Sequence, residues 1–177
     1  VIIGILSIAS GILYTGGPWP LGYLGLGDLF VLIFFGPVAV AGTFYVQALE
    51  ITPVVIFAGL GPGLLATALL AVNNLRDEPT DKKVGKLTLA VRFGTTFARA
   101  EYLAALVFSA VIPFILAFWT ETHWYACISA LIIIPGFSSI RQIISGVKGS
   151  ELNTTLASTG KLILIYGILF SLGWWIG

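Results

Sequence analysis

The fold is decided by residues 51–86, which read ITPVVIFAGLGPGLLATALLAVNNLRDEPTDKKVGK. The first 25 of them, Ile51 to Leu75, carry no charge, whereas seven of the next eleven are charged. About 20 apolar residues in a helix cross the roughly 30 Å hydrocarbon core of a bilayer. The stretch therefore predicts a transmembrane helix that meets water near Arg76.

The composition of the whole chain agrees with a membrane protein. Of 177 residues, 58% are apolar and 10% are charged, and the mean hydropathy is +1.01. A soluble domain carries about 25% charged residues, so this chain could not cover a soluble surface. The apolar runs are continuous and lack the alternation of a membrane barrel. The net charge of +1 and the absence of a basic, aromatic-rich run argue against nucleic acid as a partner.

Charge-free runs mark the expected spans. Five are long enough to cross a bilayer, the last one barely, and the run that starts at Val1 reads as an incomplete sixth. The runs are Val1–Gly27, Leu29–Leu49, Ile51–Leu75, Tyr102–Thr120, Thr122–Ile140 and Leu162–Gly177. The predicted fold is all-α, a single domain over residues 1–177 built as a multi-pass helical bundle of about six spans. Because the sequence begins inside an apolar run and contains no Met, we expect an N-terminally truncated chain.

The distribution of lysine and arginine predicts the orientation. Six of the nine lie in residues 76–99 and the other three in residues 141–161, whereas the links at 47–53 and 119–124 carry none. The positive-inside rule places both basic regions on the cytoplasmic side. Alternation of the spans then places residues 14–28 on the same side. We expect a multi-pass protein of the cell (inner) membrane whose site faces the cytoplasm.

An acidic motif lies where the span at 51–75 ends. Asn73, Asp77 and Asp81 recur every four residues, so a helix that continues past Leu75 would stack them on one face, drifting about 40° per step. Pro79 would either end, kink or restart that helix. Two carboxylates suit Mg²⁺, which usually binds through one or two carboxylates together with waters and phosphate oxygens.

Basic residues follow the acidic motif and could meet the charge of a phosphate group; they are Lys82, Lys83, Lys86 and Arg92. Asn73 and Asn74 favour a functional reading, since polar groups at membrane depth usually have a use. The alternative is a solvated loop in which Glu78 and Lys82 form an ordinary i,i+4 pair.

Residues 14–28, YTGGPWPLGYLGLGD, form a second candidate region on the same side. A glycine-rich loop can expose backbone N–H groups to an anion, and an aromatic face can stabilise a cation. The alternative is a tight interfacial turn anchored by its tyrosines. Elsewhere, His123 is predicted to be an exposed histidine in a non-cytoplasmic turn.

Residues 73–94, NNLRDEPTDKKVGKLTLAVRFG, resemble the second aspartate-rich motif of the UbiA superfamily of intramembrane prenyltransferases. The Asn-Asn-x-Arg-Asp form, together with residues 14–28 and Phe34-Phe35-Gly36-Pro37, is similar to the branch that transfers polyprenyl groups to 1,4-dihydroxy-2-naphthoate in menaquinone synthesis. The resemblance implies a nine-helix fold of which this chain holds the last six. The family's first motif, of Asn-Asp-x-x-Asp type, is absent here, so residues 1–177 alone are expected to be inactive.

The resemblance also implies a mechanism and a set of roles. Asp77 and Asp81 would hold the Mg²⁺ that neutralises the diphosphate leaving an isoprenyl diphosphate. Tyr14 or Tyr23 is expected to shield the allylic cation or orient the aromatic acceptor, whose ring attacks with loss of carbon dioxide to give demethylmenaquinone. The expected diphosphate-binding residues are Asn73, Asn74, Arg76, Lys82, Lys86 and Arg92. Two alternatives stay open: a related enzyme that acts on another aromatic acceptor, such as 4-hydroxybenzoate, and a cation-coupled transporter.

Overall fold

The computed structural model describes residues 2–16 and 20–177, and every regular element in them is helical. The all-α prediction is therefore confirmed. The helices are α1 (Ile2–Thr15), α2 (Gly27–Ile33), α3 (Ala39–Ala48), α4 (Pro53–Ala58), α5 (Leu60–Lys83), α6 (Leu89–Phe93), α7 (Thr95–Thr120), α8 (Ile133–Ser145) and α9 (Leu152–Ile176). Tighter 3₁₀ turns cover Leu21–Tyr23, Trp124–Ile132 and Gly149–Glu151.

Five helical segments in the described residues are long and apolar enough to cross a membrane, which makes this a multi-pass membrane protein. They are Gly27–Ala48, Pro53–Lys83, Thr95–Thr120, Trp124–Ser145 and Gly149–Ile176. A shorter apolar helical stretch, Gly4–Leu13, precedes them. Five is the number of complete spans that the charge-free runs predict.

The helices extend beyond the charge-free runs. Helix α5 continues to Lys83, α7 already begins at Thr95, and the last span has 28 residues instead of the predicted 16. Charge at a helix end does not disturb the backbone hydrogen bonds that define a helix, and Lys161 within α9 is exposed, so its long side chain can extend away from the apolar core of the bundle. The predicted loop between Arg76 and Arg99 thus shrinks to short links on either side of α6.

The first complete span is bent where α2 meets α3. A π-helical turn, Phe34–Val38, joins the two helices, and Gly36 within it has φ −107° and ψ −109°. A Cβ atom on Gly36 would lie 2.8 Å from the Gly59 carbonyl oxygen, and one on Gly63 would lie 2.9 Å from the Gly36 Cα. Small residues therefore let the bent span dock on the start of α5 with backbone against backbone.

Helix α5 is the centre of the bundle, with α2, α7 and α9 packed around it. Its core positions are small or aliphatic, and Leu65, Ala68 and Ala71 are fully buried. A buried polar contact ties the neighbouring helices: the hydroxyls of Tyr102 on α7 and Thr159 on α9 lie 3.1 Å apart. Helix α2 packs on one side of α5 and α9 on the other. The side chains of α5 that lie between these two neighbours can therefore contact either of them.

His123 is not the freely exposed histidine that the sequence predicts. Its ring is half-buried and stacks on Trp174 with the ring centroids 3.9 Å apart, and its Nδ1 lies 2.9 Å from the Trp174 carbonyl oxygen. The residue fastens the start of the fourth span to the end of the fifth.

Candidate functional site

The acidic motif lies on one continuous helix. Asn73, Asp77 and Asp81 all belong to α5, which runs through Pro79 to Lys83. At 100° per residue they fan over about 80° of the helix surface, as predicted for a helix that continues. Asn74 lies about 20° beyond Asp81, on the flank that faces α2. The four side chains therefore cover an arc of the α5 surface that runs from Asn73, on the side of α9, to Asn74, on the side of α2.

On the α9 side, Arg76 organises the polar groups. Its Nε and Nη2 donate to the two carboxylate oxygens of Asp77, each at 2.7 Å. Its Nη2 also donates to Asn73 Oδ1 at 2.8 Å, and its Nη1 donates to Asn153 Oδ1 on α9 at 3.0 Å. Such a fork fixes the carboxylate in one orientation. Sequence reasoning missed Asn153, which sits 77 residues from Arg76 with no spacing pattern to mark it.

On the opposite edge of the motif, Lys86 closes over Asp81. Its Nζ lies 3.2 Å from Asp81 Oδ2 and 3.4 Å from Oδ1, and Asp81 is only 8% exposed. The ammonium group is also near enough to attract Asp77 and Asp28 electrostatically. Lys86 is thus the cation shared by the acidic side chains of the site.

Two further acidic residues, which sequence reasoning did not assign to the site, belong to it. Asp28, in the first turn of α2, is 6% exposed, and its Oδ1 accepts from Asn74 Nδ2 at 3.4 Å. Glu101 on α7 is half-buried, has no hydrogen-bond partner in the described part of the chain, and repels Asp28. A lone carboxylate at the edge of each apolar run was the available signal, since ionisable groups at membrane depth are usually functional.

The glycine-rich loop, residues 20–26, is held against the segment that follows the acidic motif. Leu87 N donates to the Tyr23 carbonyl at 2.9 Å, and Arg92 Nη2 donates to the Leu24 carbonyl at 2.8 Å. Gly25 has φ +72°, and a Cβ there would overlap the Leu87 carbonyl oxygen. We call these contacts the loop clamp. The two candidate regions therefore meet at one end of the helical bundle.

Several predicted site residues make no contact with the two aspartates in the described residues. The Arg92 guanidinium hydrogen bonds to the loop carbonyl and not to Asp77 or Asp81, and Lys82 is exposed without an ion pair in residues 20–177. Tyr23 as a whole residue is 42% exposed. The side chain of Tyr14 lies outside the described residues.

The alternative reading of the motif as a solvated loop is not what the structure shows. The i,i+4 pair of Glu78 and Lys82 does not form, and the ion pairs in the described residues are Arg76 with Asp77 and Lys86 with Asp81. The segment is helical and Asp81 is buried.

An apolar groove of about 820 Å³ runs between α2 and α9 over the same face of α5. Its polar lining is Asn73 and Asn153, both bound to Arg76. The apolar lining includes Val31, Phe35, Ala66, Leu70, Leu156 and Ile163. The groove therefore leads from the membrane interior to the Arg76–Asp77 pair. A larger apolar hollow, bordered by α1, α2 and α3, has no charged side chain in its lining.

The donor chemistry of the site fits a magnesium ion held in part by the protein. Asp77 and Asp81 offer four carboxylate oxygens on one helix face, and no cluster of three or more potential metal-binding side chains occurs in the described residues. An ion with two protein carboxylates completes its shell with water and phosphate oxygens. Each carboxylate now contacts a basic side chain that an ion would have to share or displace.

Comparison with known proteins bears on this arrangement. The chain is 40% identical over 169 residues to the 1,4-dihydroxy-2-naphthoate octaprenyltransferase of Mycobacterium tuberculosis, covering 95% of this chain and 56% of that protein. It is 40% identical over 177 residues to the Haemophilus influenzae protein of the same name, covering 99% and 57%. UbiA prenyltransferase domain-containing protein 1 of Homo sapiens is 35% identical over 173 residues, covering 94% and 47%.

The chain thus spans a little over half the length of the bacterial relatives it matches. The family model for UbiA prenyltransferases matches residues 1–155, which include the glycine-rich loop, the acidic motif and most of the groove. With the membrane helices, the paired aspartates and these relatives in agreement, the chain belongs to the UbiA prenyltransferase family.

Proposed function

We propose that the protein containing this chain transfers a polyprenyl group from an isoprenyl diphosphate to 1,4-dihydroxy-2-naphthoate, with decarboxylation. The observation that carries the proposal is the apolar groove whose polar lining, Asn73 and Asn153, binds Arg76. A polyprenyl diphosphate has the same division, with a long apolar tail and a strongly anionic head. The names of the bacterial relatives supply the acceptor.

The tail would lie between α2 and α9, where burial of apolar surface is worth about 25 cal/mol per Å². The head would then reach the level of Asp77 and Asp81, where Arg76 and Lys86 are within reach of its oxygens. Mg²⁺ held by the two aspartates would supply the charge that stabilises the departing diphosphate.

The chain's own groups contribute positioning and charge. Arg76 is anchored by Asn73 and Asn153, so its guanidinium is fixed at the end of the groove before substrate binds. Preorganised cations stabilise developing negative charge without a reorganisation cost. When the bond from the allylic carbon to oxygen breaks, Arg76 and Lys86 meet the charge on the diphosphate while the aromatic ring attacks the carbon.

The cytoplasmic side of the inner membrane is the proposed location. Eight of the nine basic residues lie toward one end of the bundle, the end with the acidic motif, where a soluble aromatic acceptor could enter, and the ninth, Lys161, lies within α9. Cation transport is not favoured, because transporters place their ion sites near the midplane. Here the acidic motif lies at a helix end and contacts two basic side chains.

The test is prenyl transfer by the natural polypeptide that contains residues 1–177, reconstituted in lipid nanodiscs with Mg²⁺. Asp77→Asn and Asp81→Asn should each lower kcat roughly 100- to 1,000-fold, the usual cost of losing a preorganised electrostatic contact to the transition state. Glu78→Gln, which removes a neighbouring carboxylate of α5, should stay within about twofold, as expected for a group outside the site.

Two outcomes would contradict the proposal in different ways. Retained transfer by both aspartate variants would remove the acidic motif from the reaction. Faster transfer to 4-hydroxybenzoate than to the naphthoate would leave a prenyltransferase but overturn the acceptor.

A further inference from the structure

Asp28 and Asn74 form a buried contact that has no role in the reaction proposed above. They are 6% and 4% exposed, they lie 46 residues apart, and Asp28 Oδ1 accepts from Asn74 Nδ2 at 3.4 Å. Burying a charged carboxylate is costly unless its partners compensate. The contact joins α2 to the α5 face that carries the acidic motif.

A carboxylate fixes the direction of an amide. An ionised aspartate only accepts hydrogen bonds, so Asn74 must turn its NH₂ group toward Asp28 and its Oδ1 away. In the structure it is indeed Asn74 Nδ2 that faces Asp28 Oδ1. Within residues 20–177, Asn74 Oδ1 accepts no hydrogen bond. It is not fully buried either, because the fully buried polar atoms without a partner are Arg99 Nε, Ser139 Oγ and Tyr166 Oη in the described residues. The oxygen therefore remains open to a ligand.

The position of Asn74 indicates which ligand this is. It lies three residues before Asp77, about 4.5 Å deeper along α5, and seven residues or about 10.5 Å from Asp81. At that depth the prenyl chain would pass from the groove to the diphosphate. An amide oxygen cannot accept a hydrogen bond from a diphosphate, whose oxygens also only accept. It could join the shell of a cation, but an ion held between Asp77 and Asp81 would lie farther toward the end of α5, so at the depth of Asn74 the partner is a hydroxyl group.

We infer that Asp28 is a positioning residue that holds Asn74 Oδ1 ready to accept a hydrogen bond from a phenolic hydroxyl of the aromatic acceptor. The inference rests on the proposed function and assigns Asn74 to the acceptor instead of the diphosphate. The hydrogen bond orients the ring beside the reacting end of the prenyl chain, on the α2 side of the groove.

The first test needs no variant. The natural polypeptide in nanodiscs is titrated with 1,4-dihydroxy-2-naphthoate and with its two mono-methyl ethers, each of which lacks one hydroxyl donor. One ether should bind roughly tenfold more weakly, the usual effect of losing a hydrogen bond. Equal binding of all three compounds would overturn the inference.

The second test uses Asp28→Asn, which keeps the shape of the side chain but can offer either an acceptor or a donor to Asn74. The KM for the aromatic acceptor should rise roughly tenfold, and the discrimination against the ether should fall toward one. The KM for the prenyl diphosphate should stay within about twofold. A general loss of packing would change both KM values and would not abolish this discrimination.

Glu78→Gln is the matched control, since it removes a carboxylate outside the site that makes no hydrogen bond with Asn74 in the described residues. It should keep the discrimination. If it matches Asp28→Asn, the effect is one of charge and the inference fails. If the unmodified protein prenylates no aromatic acceptor, the proposed function fails and the inference with it. If transfer is normal and Asp28→Asn retains the acceptor KM and the discrimination, the inference alone fails.

Discussion

At the scale of single residues, the two aspartates of the acidic motif are each held by one of the chain's own cations. Arg76 binds both oxygens of Asp77, and Lys86 lies over both oxygens of Asp81. In the proposed reaction these cations have a second use at the diphosphate. The same contacts that keep the acidic side chains paired without substrate therefore place two positive charges where the head group arrives.

Lys86→Met tests this double role. The variant leaves Asp81 without its ammonium partner, and we expect a loss of about 1–2 kcal/mol of stability without Mg²⁺. This is below the roughly 3–5 kcal/mol of a fully buried pair, because the Lys86 side chain is 25% exposed. Saturating Mg²⁺ should remove the difference, since the ion supplies the missing charge. Thermal unfolding in nanodiscs with and without Mg²⁺ measures both effects.

Lys82→Met is the control for this experiment. Lys82 has an exposed side chain with no ion pair in the described residues, so its removal should leave the unfolding temperature unchanged in either condition. A Lys86→Met protein that Mg²⁺ does not restore would show that the ion does not bind at Asp81.

The residue-level predictions succeeded where partners are close in sequence and failed where they are distant. The spacing of Asn73, Asp77 and Asp81 places them on one helix face because helical geometry is local. The contacts Asp28–Asn74 and Arg76–Asn153 join residues 46 and 77 apart. They depend on how whole helices pack, and no sequence period encodes that packing.

At the scale of elements, the loop clamp joins the glycine-rich loop to the link between α5 and α6. Its closest approach is at Gly25, where any side chain would meet the Leu87 carbonyl oxygen. Sequence analysis brought these regions to one side of the membrane but could not predict the clamp. Its contacts are made by backbone carbonyls, whose hydrogen bonding does not depend on residue type.

Gly25→Ala and Gly85→Ala form a matched pair that isolates this close approach. Both glycines have positive φ, +72° and +73°, so both variants incur the roughly 1–2 kcal/mol cost of a left-handed residue. A Cβ on Gly85 meets no atom within 4 Å, whereas one on Gly25 overlaps Leu87. Gly25→Ala should therefore cost about 1–3 kcal/mol more.

Hydrogen exchange at the Leu87 amide gives the direct measurement, because that amide donates to Tyr23 in the clamp. Exchange should accelerate in Gly25→Ala and stay near the unmodified rate in Gly85→Ala. Equal stability losses and equal exchange rates in the two variants would mean that the loop does not depend on contact with Leu87.

The ends of the elements were the least predictable part of the fold. Apolar runs locate the spans because every backbone group in lipid must be hydrogen bonded, which demands helices. The same runs do not show where a helix stops in water, so α5 and α7 exceed them on the side of the acidic motif. The site depends on this excess, since Asp77, Asp81 and Glu101 all lie on helical turns outside the charge-free runs.

At the scale of the whole molecule, charge divides the bundle into two unlike ends. The end with the acidic motif also holds eight of the nine lysines and arginines of the chain, all but Lys161 within α9. The opposite end, where α3 meets α4 and α7 meets the fourth span, carries Glu50, Glu121 and His123. Since only Lys and Arg bias set the orientation, the basic end should face the cytoplasm, the side on which a water-soluble acceptor would be made.

Cysteine labelling tests this orientation in a Cys127→Ser background, which removes the single native thiol. Lys82→Cys and Glu121→Cys each place a thiol at an exposed position, one at either end of the bundle. In intact cells, a membrane-impermeant maleimide should label Glu121→Cys and leave Lys82→Cys unmodified. In inside-out vesicles the pattern should reverse. Labelling of Lys82→Cys in intact cells would place the acidic motif outside the cytoplasm and remove the route by which the aromatic acceptor reaches the groove.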